Sequence, residues 1–98
     1  MMELTDENFS KEVIDKGEKV IIDCWANWCG KCKMFKPLFE QAESKYPDYK
    51  FCTLDVDKAP KSATALNITN LPTILVYYKC KEIKRGGFEI LDQLEEIK

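Results

Sequence analysis

The chain has 98 residues, with 15 basic against 17 acidic side chains and a formal net charge of −2. That length suits one domain, expected over residues 1–98, burying roughly two-thirds of its unfolded surface without staples. The near-balanced charge, with Arg85 the single arginine, argues against a nucleic-acid partner, and no apolar run approaches the roughly 18–20 residues of a membrane span.

Glu3-Leu4 reads as a short first strand. Thr5 is placed to cap a helix over 6–16, with Asp6 and Glu7 in its first turn, where acidic side chains oppose the helix dipole. Phe9, Val13 and Ile14 give that helix a buried face, and Gly17 is its expected stop. Val20 to Trp25 is apolar and β-branched, the pattern of a buried central strand. Alternation places Val20, Ile22 and Cys24 on one face and Ile21, Asp23 and Trp25 on the other. A strand apolar on both faces is covered by helices on both sides. Asp23 interrupts the pattern; its apolar surroundings predict burial, which raises the pKa of a carboxylate.

Two cysteines, Cys29 and Cys32, follow the strand with Gly30 and Lys31 between them. Met34, Phe35, Leu38, Phe39 and Ala42 then recur at helical spacing, so a long helix is expected from about Cys29 to Tyr46, kinked at Pro37 and ended by Pro47-Asp48. The pair thus marks a strand-to-helix turn. Unpaired N–H groups and the positive dipole end favour a thiolate at Cys29, and Lys31 pushes the same way. Cys32, one turn further in, can reach back to resolve a mixed disulfide. That two-electron exchange needs neither an organic cofactor nor a metal. A zinc site wants four Cys or His ligands, usually as two close pairs. Here there is no histidine, and Cys24, Cys52 and Cys80 form no second pair. Cys24 and Cys52 read as inert packing in strands, and Cys80 as an exposed incidental thiol at a turn.

Phe51 to Val56 is the next strand, parallel to the first because a helix connects them. Asp57 is expected to cap a short helix whose Ala59, Ala63 and Leu66 face inward. After a loop over 67–70, Thr73 to Tyr78 and Lys81 to Arg85 form an antiparallel hairpin turning near Lys79-Cys80. Gly86-Gly87 breaks the pattern before a final helix over 89–97 with Ile90, Leu91, Leu94 and Ile97 inside. The order βαβαββα, preceded by the optional first strand, is an α/β sandwich. An odd count of five cysteines, three of them scattered, fits a reducing compartment. The acidic, polar segment from Met1 to Glu7 is unlike a secretion or organelle signal, so the expected location is cytoplasmic.

The segment Trp28-Cys29-Gly30-Lys31-Cys32-Lys33 resembles the active-site segment of the thioredoxin family. Asp23-Cys24-Trp25-Ala26-Asn27 resembles its lead-in and Leu71-Pro72-Thr73 the loop opposite, and the order and spacing hold along essentially the whole chain. The resemblance implies a thioredoxin fold: a central mixed sheet of four to five strands flanked by about four helices. It implies a monomeric protein-disulfide reductase and electron carrier in cell redox homeostasis, fed by a thioredoxin reductase and acting on oxidised protein substrates. Cys29 attacks, Cys32 resolves and Asp23 helps to deprotonate the resolving thiol. Trp28, Gly30, Lys31, Leu71, Pro72 and Gly87 (or its neighbour Gly86) would face the substrate. A cis Pro72 would free the Leu71 backbone to pair with an extended substrate segment.

Two positions depart from the family pattern. Thr53 stands where many members carry a lysine paired with the aspartate, and Lys31 replaces a common proline. The second change predicts a more oxidising couple than a Lys31→Pro variant would have, since it frees backbone and adds positive charge. Other readings are a disulfide oxidase or isomerase domain and a thioredoxin-like interaction module. The absence of His between the cysteines and of a secretion signal argues against the first, the intact dithiol with Asp23 against the second.

Overall fold

The computed structural model describes residues 1–15 and 18–97. The elements are β1 (Met2–Leu4), a π-helical turn (Ser10–Ile14), β2 (Val20–Trp25), α1 (Gly30–Lys45), β3 (Lys50–Asp55), α2 (Pro60–Ala65), β4 (Thr73–Tyr78), β5 (Lys81–Gly86) and a 3₁₀ helix (Phe88–Glu96). The strands form one sheet in the order β1-β3-β2-β4-β5. β1 and β2 pair parallel with β3, while β4 runs antiparallel to both β2 and β5. The crossover through α1 dictates the parallel pairing, as a helix returns the chain to the same end of the sheet. The β4–β5 hairpin turns at Lys79 and Cys80 with φ of 52° and 71°, both left-handed, as a tight two-residue turn requires.

Strand alternation builds two cores. On one face Ile21, Phe51, Ile74 and Val76 pack against Phe35 and Phe39 of α1 and Ile90 and Leu94 of the 3₁₀ helix. On the other, Val20, Ile22, Cys24, Cys52 and Leu54 pack with Val13 and Ala59. The buried side chains of α1 are Cys32, Phe35, Phe39 and Ala42, the stripe expected of an amphipathic helix. Phe35 stacks at 4.7 Å on Phe88 and 5.6 Å on Phe39, pinning the helix over the sheet. Pro37 lies inside α1, so the carbonyl of Lys33 receives no N–H from the residue four positions on.

The first helix differs from its expected span of 6–16. Thr5 caps only the turn over 6–8 that precedes it, and the helix itself has Phe9 as its N-cap with no side-chain cap: Thr5 Oγ1 accepts the Asn8 N–H at 3.1 Å and Asn8 Oδ1 accepts the Thr5 N–H at 2.7 Å. The regular winding then gives way to the π-helical turn, closed by Asp15 N–H on Ser10 O at 2.9 Å. Asp6 serves another helix, its carboxylate accepting the Lys61 and Ser62 N–H groups at 3.3 and 2.8 Å. The expected stop at Gly17, with Lys16 before it, lies outside the described residues. Asp57 does not cap α2: the N-cap is Ala59, Pro60 opens the helix, and Asp55 Oδ1 takes the Asp57 and Lys58 N–H groups at 2.9 and 3.4 Å. With Asp6 supplying donors' partners from across the chain, α2 needs no local carboxylate. The last helix keeps its predicted inner face but winds as 3₁₀, with Ile90 N–H on Gly87 O and Ile97 N–H on Leu94 O.

Candidate active site

Strand β2 ends at Trp25, where Trp25 O accepts the Val56 N–H at 3.0 Å, and Ala26 O accepts the Cys29 N–H at 3.1 Å. This tight exit delivers Cys29 as the N-cap of α1, extended at φ −94° and ψ 111°. Its Sγ accepts the Cys32 N–H at 3.3 Å, while Lys33 N–H closes the first turn on Cys29 O at 3.3 Å. The sulfur therefore takes the place usually held by a capping Ser or Asp oxygen, where unpaired helix donors point.

Both cysteines are thiols in this structure, Cys29 at 9% exposure and Cys32 at 2%. Cys29 is thus the outer sulfur. Burial pushes the Cys32 thiol up to about 12; the Cys29 hydrogen bond and the charges of Cys29 and Asp23 add to it, against a backbone hydrogen bond from Ala26. The inner sulfur needs a base to become a nucleophile. Cys24 and Cys52 are buried, with thiols raised by burial to about 12 and about 11, in keeping with inert packing. Cys80 is exposed at the hairpin turn.

Asp23 sits on the α1 face of the sheet by strand parity and is 3% exposed. Its Oδ1 has no hydrogen-bond partner among the described residues. Burial raises its carboxyl to about 7, opposed by the charge of Lys36. Asp23, Cys32, Lys36 and Thr53 line one cavity of about 450 Å³ beneath α1. Thr53 lies in register with Asp23 on β3 and supplies no charge there.

The outer side is built by the loop before β4. The Leu71–Pro72 bond is cis, as the family resemblance implied. Leu71 packs against the Ala26, Cys29 and Cys32 cluster, and with Trp28, Cys29, Val56 and Ile68 it lines a cleft of about 340 Å³. Pro72 and Gly87 line a neighbouring cleft of about 350 Å³, joined to the first through Thr69 and Asn70. Gly87 N–H is held by the Glu89 carboxylate at 3.0 Å. Gly86 is needed for packing: a Cβ there would come within 2.9 Å of Glu89 Oε1 and 3.1 Å of Ile90 Cδ1. Gly30 and Lys31 are exposed on the first turn of α1 and line neither cleft.

Two side chains were not singled out for the site from sequence. Asp57, expected as a cap, accepts the Trp28 indole N–H at 3.0 Å and so holds a side chain that is 70% exposed. Lys36 reaches the Asp23 cavity from α1. Its spacing four residues beyond Cys32 was the available signal.

The family model described as Thioredoxin matches residues 1–97. The chain belongs to the thioredoxin family. A putative thioredoxin 2 of Streptomyces coelicolor is 44% identical over 76% of this chain and 55% of its own length. Thioredoxin C-3 of Corynebacterium nephridii is 36% identical over 86% of this chain and 58% of its own length. The chain thus spans little more than half the length of these two relatives. A thioredoxin of Mycobacterium tuberculosis is 33% identical over 98% of this chain and 88% of its own. A solved structure of Plasmodium falciparum thioredoxin superposes with a TM-score of 0.88 at 31% identity, covering 98% of this chain and 97% of that one. The expected thioredoxin fold is therefore present, with five strands in its mixed sheet. Within that family frame, a Cys-x-x-Cys pair at a helix N-terminus fits dithiol–disulfide exchange.

Proposed function

We propose that the chain is a protein-disulfide reductase working by dithiol–disulfide exchange. The observation that carries this reading is Cys29 at the N-cap of α1, accepting the N–H of a Cys32 buried directly behind it. The Cys29 thiolate attacks one sulfur of a substrate disulfide, forming a mixed disulfide and expelling the other sulfur as a thiolate. Asp23 accepts the Cys32 proton. The Cys32 thiolate then attacks Cys29 Sγ, releasing the second substrate sulfur and leaving Cys29–Cys32 oxidised. Two electrons pass to the substrate.

An extended substrate segment lies along Leu71 and Pro72, with Trp28 at its rim, Gly30 and Lys31 flanking the attacking sulfur and Gly87 bordering the next cleft. The chain acts as one thioredoxin domain and as a monomer, is returned to the dithiol by a thioredoxin reductase, and serves oxidised proteins in the cytoplasm. Family membership supports such partners in general, and among the described residues no helix is long and apolar enough to cross a membrane.

Insulin reduction driven by dithiothreitol tests the reading. The wild-type chain should accelerate it, Cys29→Ser should not, and Cys32→Ser should accumulate a mixed disulfide with the substrate. Full activity in Cys29→Ser would sink the proposal.

A further inference from the structure

The buried carboxylate of Asp23 needs a counter-charge to be ionised at neutral pH, and strand β3 does not offer one where it faces Asp23. The register partner is Thr53, and on the other side Asp23 faces Ile74 of β4. The charged groups around the cavity come from four places. The amino group of Met1 is engaged with Glu43 at 3.2 Å. Asp55 of β3 is itself acidic and holds the turn after the strand. Lys58 follows that turn, and Lys33 and Lys36 come from α1.

Lys36 differs from these by position. It lies four residues after Cys32, one helical turn along the same side of α1, and it lines the cavity into which Asp23 is buried. Its side chain is exposed and also borders a cleft with Glu3, Glu40 and Glu43, but it makes no ion pair with them among the described residues. We propose that Lys36 is a positioning residue of the exchange reaction: its ammonium, carried on the same helix as the resolving thiol, holds Asp23 as a carboxylate so that Asp23 can take the Cys32 proton. The inference rests on Asp23 being the base of the proposed reductase. The step balances as Asp23 carboxylate plus Cys32 thiol giving Asp23 carboxylic acid plus Cys32 thiolate.

The electrostatics agree with the geometry. Burial raises Asp23 to about 7, and Lys36 is the group that works against that rise. A base is most effective when it titrates close to the working pH. With Lys36 removed, a smaller fraction of the carboxyl would be ionised at neutral pH and free to take the thiol's proton. Thr53 offers no charge from the sheet, and in this reading α1 provides it instead.

The test uses the full chain with Lys36→Met and Lys36→Arg. The Asp23 carboxyl is titrated by carbon-13 NMR in the dithiol form, and the rate at which Cys32 resolves a Cys29 mixed disulfide is followed against pH. Lys36→Met should move the carboxyl midpoint up by about one pH unit and slow resolution at pH 7 about fivefold, the loss expected when the ionised fraction falls by that shift. Lys36→Arg should keep both near wild type. A Lys36→Met titration that superimposes on wild type overturns the role of Lys36 and leaves the reductase reading standing. So does an arginine variant that shifts as far as the methionine one, since packing rather than charge would then be at work. A shifted titration with an unchanged resolution profile overturns Asp23 as the base, and the proposal with it.

Discussion

Replacing Asp23 by asparagine gives the most discriminating test of how the site is built. The carboxyl is 3% exposed, one oxygen has no partner among the described residues, and its pKa rises from 3.8 to about 7 chiefly through burial. A raised acid pKa means that the folded chain holds the proton more tightly than the unfolded chain. Its contribution to stability is fully present below 3.8, is lost as pH rises towards 7, and stays lost above. The span from 3.8 to about 7 corresponds to a cost of about 4 kcal/mol once the group is ionised in both states.

Asparagine cannot ionise, so the variant escapes this cost. It still buries a polar group without a full set of partners, so little gain is expected at low pH. Urea unfolding of wild type and Asp23→Asn at about pH 3 and about pH 8 should give a stability gain larger by about 4 kcal/mol at the alkaline end. The same variant should slow the resolution of a Cys29 mixed disulfide in a stopped-flow assay. A gain that is equal at the two pH values would show that Asp23 is not held near neutrality by burial, and the account of the inner cavity would fall.

Two further outcomes follow from the outer side of the dithiol. Lys31 is the second residue of α1, a first-turn position that accepts proline, so Lys31→Pro should fold with a gain of about 0.4–1 kcal/mol from the stiffer unfolded chain. Titration in glutathione buffers should find the proline variant more reducing; equal or reversed potentials refute the argument from the lysine charge. Asp57→Ala removes the acceptor of the Trp28 indole N–H at an exposed site, so stability should change by less than about 0.5 kcal/mol. Its KM for insulin should rise about threefold, the effect of one modest hydrogen bond, with kcat little changed; an unchanged KM would mean that Trp28 does not need this tether.

The parts legible in the sequence are those whose causes are local. The apolar run of β2 and the helical spacing from Met34 to Ala42 each act within a few residues, and each stands where expected. Strand parity put Asp23 on the face of Ile21 and Trp25, and in the structure α1 covers Ile21 on that face. What failed depended on distant partners. Asp6 was read as a first-turn acid of its own helix, yet it caps α2, 55 and 56 residues away. Asp57 was given that cap and instead holds Trp28, 29 residues back. Periodicity identifies the inner face of the last helix but not its winding, because Ile90, Leu94 and Ile97 reach the core equally well from a 3₁₀ coil. The cis bond at Pro72 came from family resemblance, since composition at that site allows either isomer.

The two sulfurs are neighbours on one helix turn and open onto different surroundings. Cys29 shares its cleft with Trp28, Val56 and Leu71, a largely apolar surface able to meet a partner chain. Cys32 shares its cavity with Asp23 and Lys36, the groups proposed to handle its proton. The N–H of Cys32 donating to Cys29 Sγ is the link between them. On the proposed reading, changes on the cleft side and on the cavity side act on different steps so long as that first turn is kept. Thr53 brings no charge to the inner side, and the Lys36 proposal places the counter-charge on α1 instead. A change at Trp28 or Leu71 has no such neighbour to compensate for it, and should alter which disulfides are attacked before it alters how fast the resolving thiol reacts.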